Sequence, residues 1–134
     1  MDGDLDFWLG EWDVCWDGGS GTNTVARDLD GAAIVERFES PELRGLSVSV
    51  FERDVWRQTW VDSNRSYLDF EGGSSGDEFQ LLNLREDAQF RMRFTEIASD
   101  SLVWLWERRT DDGWELKWRI DYSRRLDLHW STRR

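Results

Sequence analysis

The sequence predicts an all-β protein: a closed, antiparallel, up-and-down barrel of about ten strands with a short helical turn at its N-terminus. Three observations carry this. The first is ten tryptophans in 134 residues, many spaced two apart: Trp12 and Trp16 around Val14, Trp56 and Trp60 around Gln58, Trp104 and Trp106, and Trp114 and Trp118 around Leu116. Residues i and i+2 share one face of a strand, whereas on a helix they splay around the axis. The second is the recurrence of turn signals about every 8 to 12 residues. The third is a single proline, Pro41, which sits with Ser40 and Glu42 between two periodic segments.

In chain order, Leu5, Trp8 and Leu9 stand three and four apart behind Asp4, which predicts one capped helical turn ended by Gly10. A period of two then runs over residues 12–17, 22–28, 32–39, 46–53, 55–62, 67–71, 78–85, 89–97, 102–109 and 115–123. Between these segments lie Asp17-Gly-Gly-Ser-Gly, Leu29-Asp-Gly, Asp62-Ser-Asn-Arg, Gly72-Gly-Ser-Ser-Gly, Glu86-Asp, Ser99-Asp and Asp111-Asp-Gly. Links this short favour a meander, and closing the meander removes its two exposed edges. The glycine-rich stretch 72–76 is expected to be a mobile loop. No linker interrupts the pattern, so residues 1–134 are expected to form one domain.

Seventeen basic against 28 acidic residues give a net charge of −11, which disfavours nucleic acid and anionic membrane surfaces as partners. With one cysteine, Cys15, and one histidine, His129, neither a disulfide framework nor an ordinary zinc site is expected. The acidic N-terminus lacks a secretory pattern, and no stretch is apolar for the roughly 18 residues of a membrane span. A cytoplasmic protein is the expectation.

Placing the more apolar side of each strand inward predicts the interior. Trp12, Val14 and Trp16 enter from the first strand, then Ile34, Glu36 and Phe38, then Leu46, Val48 and Val50, then Trp56, Gln58 and Trp60. Leu68, Phe70, Phe90, Met92, Phe94, Trp104 and Trp106 follow, and Leu116, Trp118, Ile120 and Tyr122 close the set. Glu36 and Gln58 are polar residues caught among these. Burying either without a partner costs roughly 1–3 kcal/mol, so both require protein, water or ligand partners. Catalytic residues are not assigned. Glu36 with Asp62 or Glu96 is an acid–base set in a chain full of carboxylates, and Cys15 alternates with Trp16 and should face out, away from any base. Arg91, Arg93, Arg108 and Arg109 are expected to pair with acidic neighbours on a solvated surface.

The run Phe7-Trp-Leu-Gly-Glu-Trp-Asp-Val resembles the calycin group, the lipocalins and fatty-acid-binding proteins, which open with a turn of helix and Gly-x-Trp, here Gly10-Glu11-Trp12. The resemblance implies that Trp12 packs at the closed end of the barrel against an arginine near the chain's end; Arg119, Arg124 and Arg125 are the candidates. Together with Leu29-Asp-Gly, Gln58-Thr-Trp-Val-Asp and Trp104-Leu-Trp-Glu, the run is similar to an uncharacterised bacterial family of lipocalin-like barrels with no established activity. A more distant similarity, to nitrobindin, implies a haem held by a histidine near the C-terminus. Here only His129 answers to it, and alternation with Leu126, Leu128 and Trp130 turns its side chain away from the leucine face. The two-helix lid of fatty-acid-binding proteins has no counterpart in residues 17–22.

These readings predict a barrel that binds a small, mostly apolar molecule through Trp16, Glu36, Gln58, Trp60, Met92, Trp104, Trp106, Trp118 and Tyr122, with no cofactor. With no arginine expected inside to receive a carboxylate, a neutral or cationic ligand suits the interior better than a fatty acid. The competing expectations are a haem barrel using His129 and a filled barrel serving as a protein-interaction module. Outward Val35, Val61 and Val103 would permit a homodimer.

Overall fold

The computed structural model describes residues 1–84 and 89–125. A 3₁₀ turn at Asp6–Trp8 leads into ten strands: β1 (Gly10–Trp16), β2 (Gly19–Asp28), β3 (Ala33–Glu39), β4 (Arg44–Glu52), β5 (Val55–Asp62), β6 (Tyr67–Ser75), β7 (Glu78–Leu84), β8 (Gln89–Thr95), β9 (Ser101–Thr110) and β10 (Gly113–Arg124). Each strand pairs antiparallel with the next, and β10 closes on β1 through Trp12 opposite Arg124 and Val14 opposite Tyr122. The chain is therefore an all-β, closed, ten-stranded, up-and-down barrel, compatible with a calycin-like barrel.

One end is plugged by the N-terminal turn. Leu5 and Trp8 are fully buried there, and Trp8 meets Phe94 edge-on with ring centroids 5.3 Å apart. Trp12 Nε1 donates to the Trp8 carbonyl at 2.8 Å, which satisfies an indole N–H that burial would otherwise strand. Of the three candidate arginines, Arg124 takes the place beside Trp12. Its guanidinium lies 4.2 Å from the ring centroid and donates to the carbonyls of Leu9 (2.8 Å), Ser99 (2.7 Å) and Phe7 (3.2 Å). One side chain thus ties the turn, the β8–β9 link and the last strand together. The turn has no side-chain cap; Asp4 instead accepts from the N-terminal ammonium at 2.8 Å.

The alternation placed most inward residues correctly, with two corrections. In β4 the serines face in and the aliphatics face out: Ser47 and Ser49 are 1% exposed, whereas Val48 is 40% exposed. Leu46 and Val50 share the outward register of Val48. The cause lies in the neighbouring strands. Ser47 is paired with Glu36 of β3 and Ser49 with Gln58 of β5, and these buried polar groups need hydroxyl partners more than the valines need burial.

The second correction is in β10, where the register shifts between Leu116 and Trp118. This β-bulge adds a residue and changes the face. Trp118 points inward opposite Trp106, while Leu116 is 53% exposed opposite Glu107. Trp114 accordingly lies outside, with the guanidinium of Arg91 4.2 Å from its ring centroid.

The stretch 72–76 is mostly strand rather than loop, since β6 extends to Ser75. Gly72 is needed there because a β-carbon would run into the Gln80 carbonyl of β7. On the outer wall, Arg91 pairs with Glu107 at 2.6 Å and Arg93 with Glu78 at 2.7 Å, the cross-strand pairing expected of them. Val103 points outward but is only 6% exposed, so it offers no free surface; Val61, at 37%, does.

Candidate functional site

At the end opposite the plug the barrel holds a cavity of about 240 Å³. It runs from a rim at Leu43, Asp62, Ser66 and Leu68 down to Trp8, and its walls include Glu36, Gln58, Trp60, Met92, Trp104, Trp106, Trp118 and Tyr122. Eight of the nine predicted ligand residues thus surround one space. The ninth, Trp16, stands behind the lining, stacked on Phe38 at 5.9 Å and edge-on to Trp118 at 5.3 Å. The alternation of β5, β8, β9 and β10 brings these rings to one side, and the β10 bulge brings Trp118 among them.

The walls differ in chemistry. On β8–β10 Trp104 and Trp106 lie parallel with centroids 6.1 Å apart, and Phe90 continues the stack at 5.0 Å from Trp106. Trp118 meets Trp104 at 90°, and the Trp104 indole N–H donates to the Met92 sulfur at 3.5 Å.

On β2–β5 a polar network runs across the interior. Ser47 Oγ donates to Glu36 Oε1 at 2.6 Å, Asn23 Nδ2 donates to Glu36 Oε2 and to the Tyr122 hydroxyl oxygen at 2.8 Å each, and Gln58 Nε2 donates to Ser49 Oγ at 3.0 Å. Burial pushes the Glu36 carboxyl above its usual range, against the pull of the Ser47 and Asn23 hydrogen bonds. Burial and the nearby Glu36 charge likewise push the Tyr122 phenol up. Among the described residues the buried Asn23 carbonyl oxygen has no hydrogen-bond partner, so the described side chains do not use all the polar capacity at the inner end.

Asp62 marks the rim. It accepts from the Trp60 indole at 2.8 Å and from the backbone amides of Asn64 (2.9 Å) and Ser66 (3.1 Å). Partial burial raises its pKa, but these bonds outweigh that and hold the carboxyl below its ordinary value. Two tryptophans rest on backbone: a β-carbon on Gly45 would fall within the Trp60 ring, and one on Gly19 would fall 2.5 Å from Trp16 Nε1.

Sequence reasoning missed Asn23, Ser47 and Ser49, and it did not place Trp8, Leu43, Ser66 or Asp62 at the cavity. The signal for the first three was the demand of Glu36 and Gln58 for partners one strand away. Glu96 is exposed in the β8–β9 link at the plugged end, so it forms no acid–base set with Glu36. Cys15 faces solvent as expected. His129 lies outside the described residues. Among the described residues no group of three or more His, Cys, Asp or Glu side chains could hold a metal ion, and no helix is long and apolar enough to cross a membrane.

No protein-family model matches this chain. No curated protein matches it in sequence either.

Proposed function

We propose that this protein is a calycin-type barrel that binds a small, mostly apolar molecule. The observation that carries this is the cavity of about 240 Å³ walled by Trp60, Trp104, Trp106 and Trp118. Its size falls between the ~150 Å³ of an engineered apolar cavity that holds benzene and the ~300–1,000 Å³ of pockets for drug-sized ligands. A ligand of one or two rings suits it. Affinity would come from apolar burial at about 25 cal/mol per Å², and orientation from Glu36, Gln58 and Tyr122. Charged side chains on the outer wall, such as Arg91, Arg93 and Glu107, support a water-soluble barrel, and the cytoplasm is its proposed compartment.

Titration with p-cresol, a neutral one-ring probe, should shift tryptophan emission saturably, and Leu68→Trp, which puts an indole into the cavity, should abolish the response. An unsaturable change, equal in both proteins, would remove this reading in favour of a filled barrel. The haem alternative names His129 as its ligand, which lies outside the described residues. A homodimer would use the outward face carrying Val48, Val61 and Tyr67, of which Tyr67 is 63% exposed.

A further inference from the structure

The inner end of the cavity is built to receive hydrogen-bond donors. Glu36 has one donor on each carboxylate oxygen, Ser47 and Asn23, and each oxygen keeps a further lone pair. Gln58 spends its amide on Ser49, and among the described residues nothing donates to its carbonyl oxygen, although the side chain is 96% buried against the cavity. No lysine, arginine or histidine is among the described lining residues. Arg108 shares the inward register of Trp106 but is exposed beyond the lining.

We infer that the natural ligand is a small aromatic or alicyclic amine, bound as the cation with its nitrogen on Glu36 and Gln58 and its apolar body against Trp104, Trp106 and Trp118. This rests on the ligand-binding reading above and narrows it to one chemical class. A protonated amine supplies the N–H groups that these oxygens lack and gives the buried carboxylate a counter-charge, which offsets part of the cost of burying it. Indole faces attract the same charge. At the rim, Asp62 stays ionised and its partner Trp60 lines the entrance, which adds a second carboxylate near the cavity. An anionic ligand would meet the Glu36 carboxyl with no cation among the described lining residues to offset it.

Binding should be linked to a proton. Burial favours the neutral acid in the free protein, and an ammonium favours the carboxylate, so occupation expels a proton from Glu36 to solvent. Among the described residues, the other ionisable groups facing this space are Tyr122 on β10, a phenol held neutral, and Asp62 on β5, already ionised. Amine affinity should therefore rise as pH rises through the Glu36 titration.

The test is calorimetry with 2-phenylethylamine, 2-phenylethanol and phenylacetate, which share one ring and differ in head-group. The amine should bind at least about tenfold tighter than the alcohol, as one charge-assisted contact implies, and phenylacetate should not bind. Repeating the amine titration in buffers of different ionisation heat should show proton release. Glu36→Gln keeps the shape of the side chain and should level amine and alcohol. Alcohol binding as tight as amine binding, or no proton release by the unaltered protein, would overturn the amine assignment while leaving the cavity reading intact. Failure of all three probes would overturn both.

Discussion

At the plugged end Trp8, Trp12 and Trp56 are at most 2% exposed, while at the mouth Trp16, Trp60, Trp104, Trp106 and Trp118 are only half-buried. The same side chain does two jobs, and what separates them is what covers the rings. The plug has the 3₁₀ turn laid over it, with Arg124 tying that turn to the wall. The mouth has no corresponding cover from the described residues, and Trp60, Trp104, Trp106 and Trp118 face a cavity. A tryptophan-rich interior therefore says that a barrel is present; only the location of a covering segment says which rings are core and which are available to a ligand.

The contrast can be broken by truncation. Trp12→Ala removes a fully buried ring and the seat of Arg124 and should cost about 3–5 kcal/mol in denaturant unfolding. Trp104→Ala at the mouth should cost about 1–2 kcal/mol, because less area leaves water there on folding, yet it should lose most of the p-cresol response. If Trp104→Ala destabilises as much as Trp12→Ala, the mouth rings are ordinary core.

The smallest effect sharpens the comparison at the polar wall. The folded protein holds the Glu36 proton more tightly than the unfolded chain, whose carboxyl titrates near the ordinary 4.5. Stability from this group is complete below that value and is lost as pH rises through the folded-state titration. The Tm of the unaltered protein should fall over that interval, and Glu36→Gln should flatten the decline; a Tm that rises with pH there in a Glu36-dependent way would contradict the buried neutral acid.

Much of this was legible in the order of residues. Period-two spacing located all ten strands, and Gly10-Glu11-Trp12 marked where the plug hands over to β1. What period could not supply was the sign of β4, because polarity assigns one strand at a time and the reason for burying Ser47 and Ser49 sits on β3 and β5. The β10 bulge was equally hidden: Trp114, Leu116 and Trp118 continue an unbroken alternation across a point where the backbone changes face. Asn23 went unnoticed in the glycine- and threonine-rich β2, although a buried carboxyl on β3 calls for an amide beside it. Choosing Arg124 from three arginines required the register of β10 against Trp12.

Gly45 sets the bore of the entrance. Trp60 can lie flat against the wall only because that position lacks a methyl group. An alanine at Gly45 would lever the Trp60 indole off the backbone, away from Asp62 and across the opening. The aperture is thus adjustable by one carbon atom at a time, at a site outside the strands that supply the ring stack, so related chains could change the girth of what they admit while leaving the carboxyl below untouched.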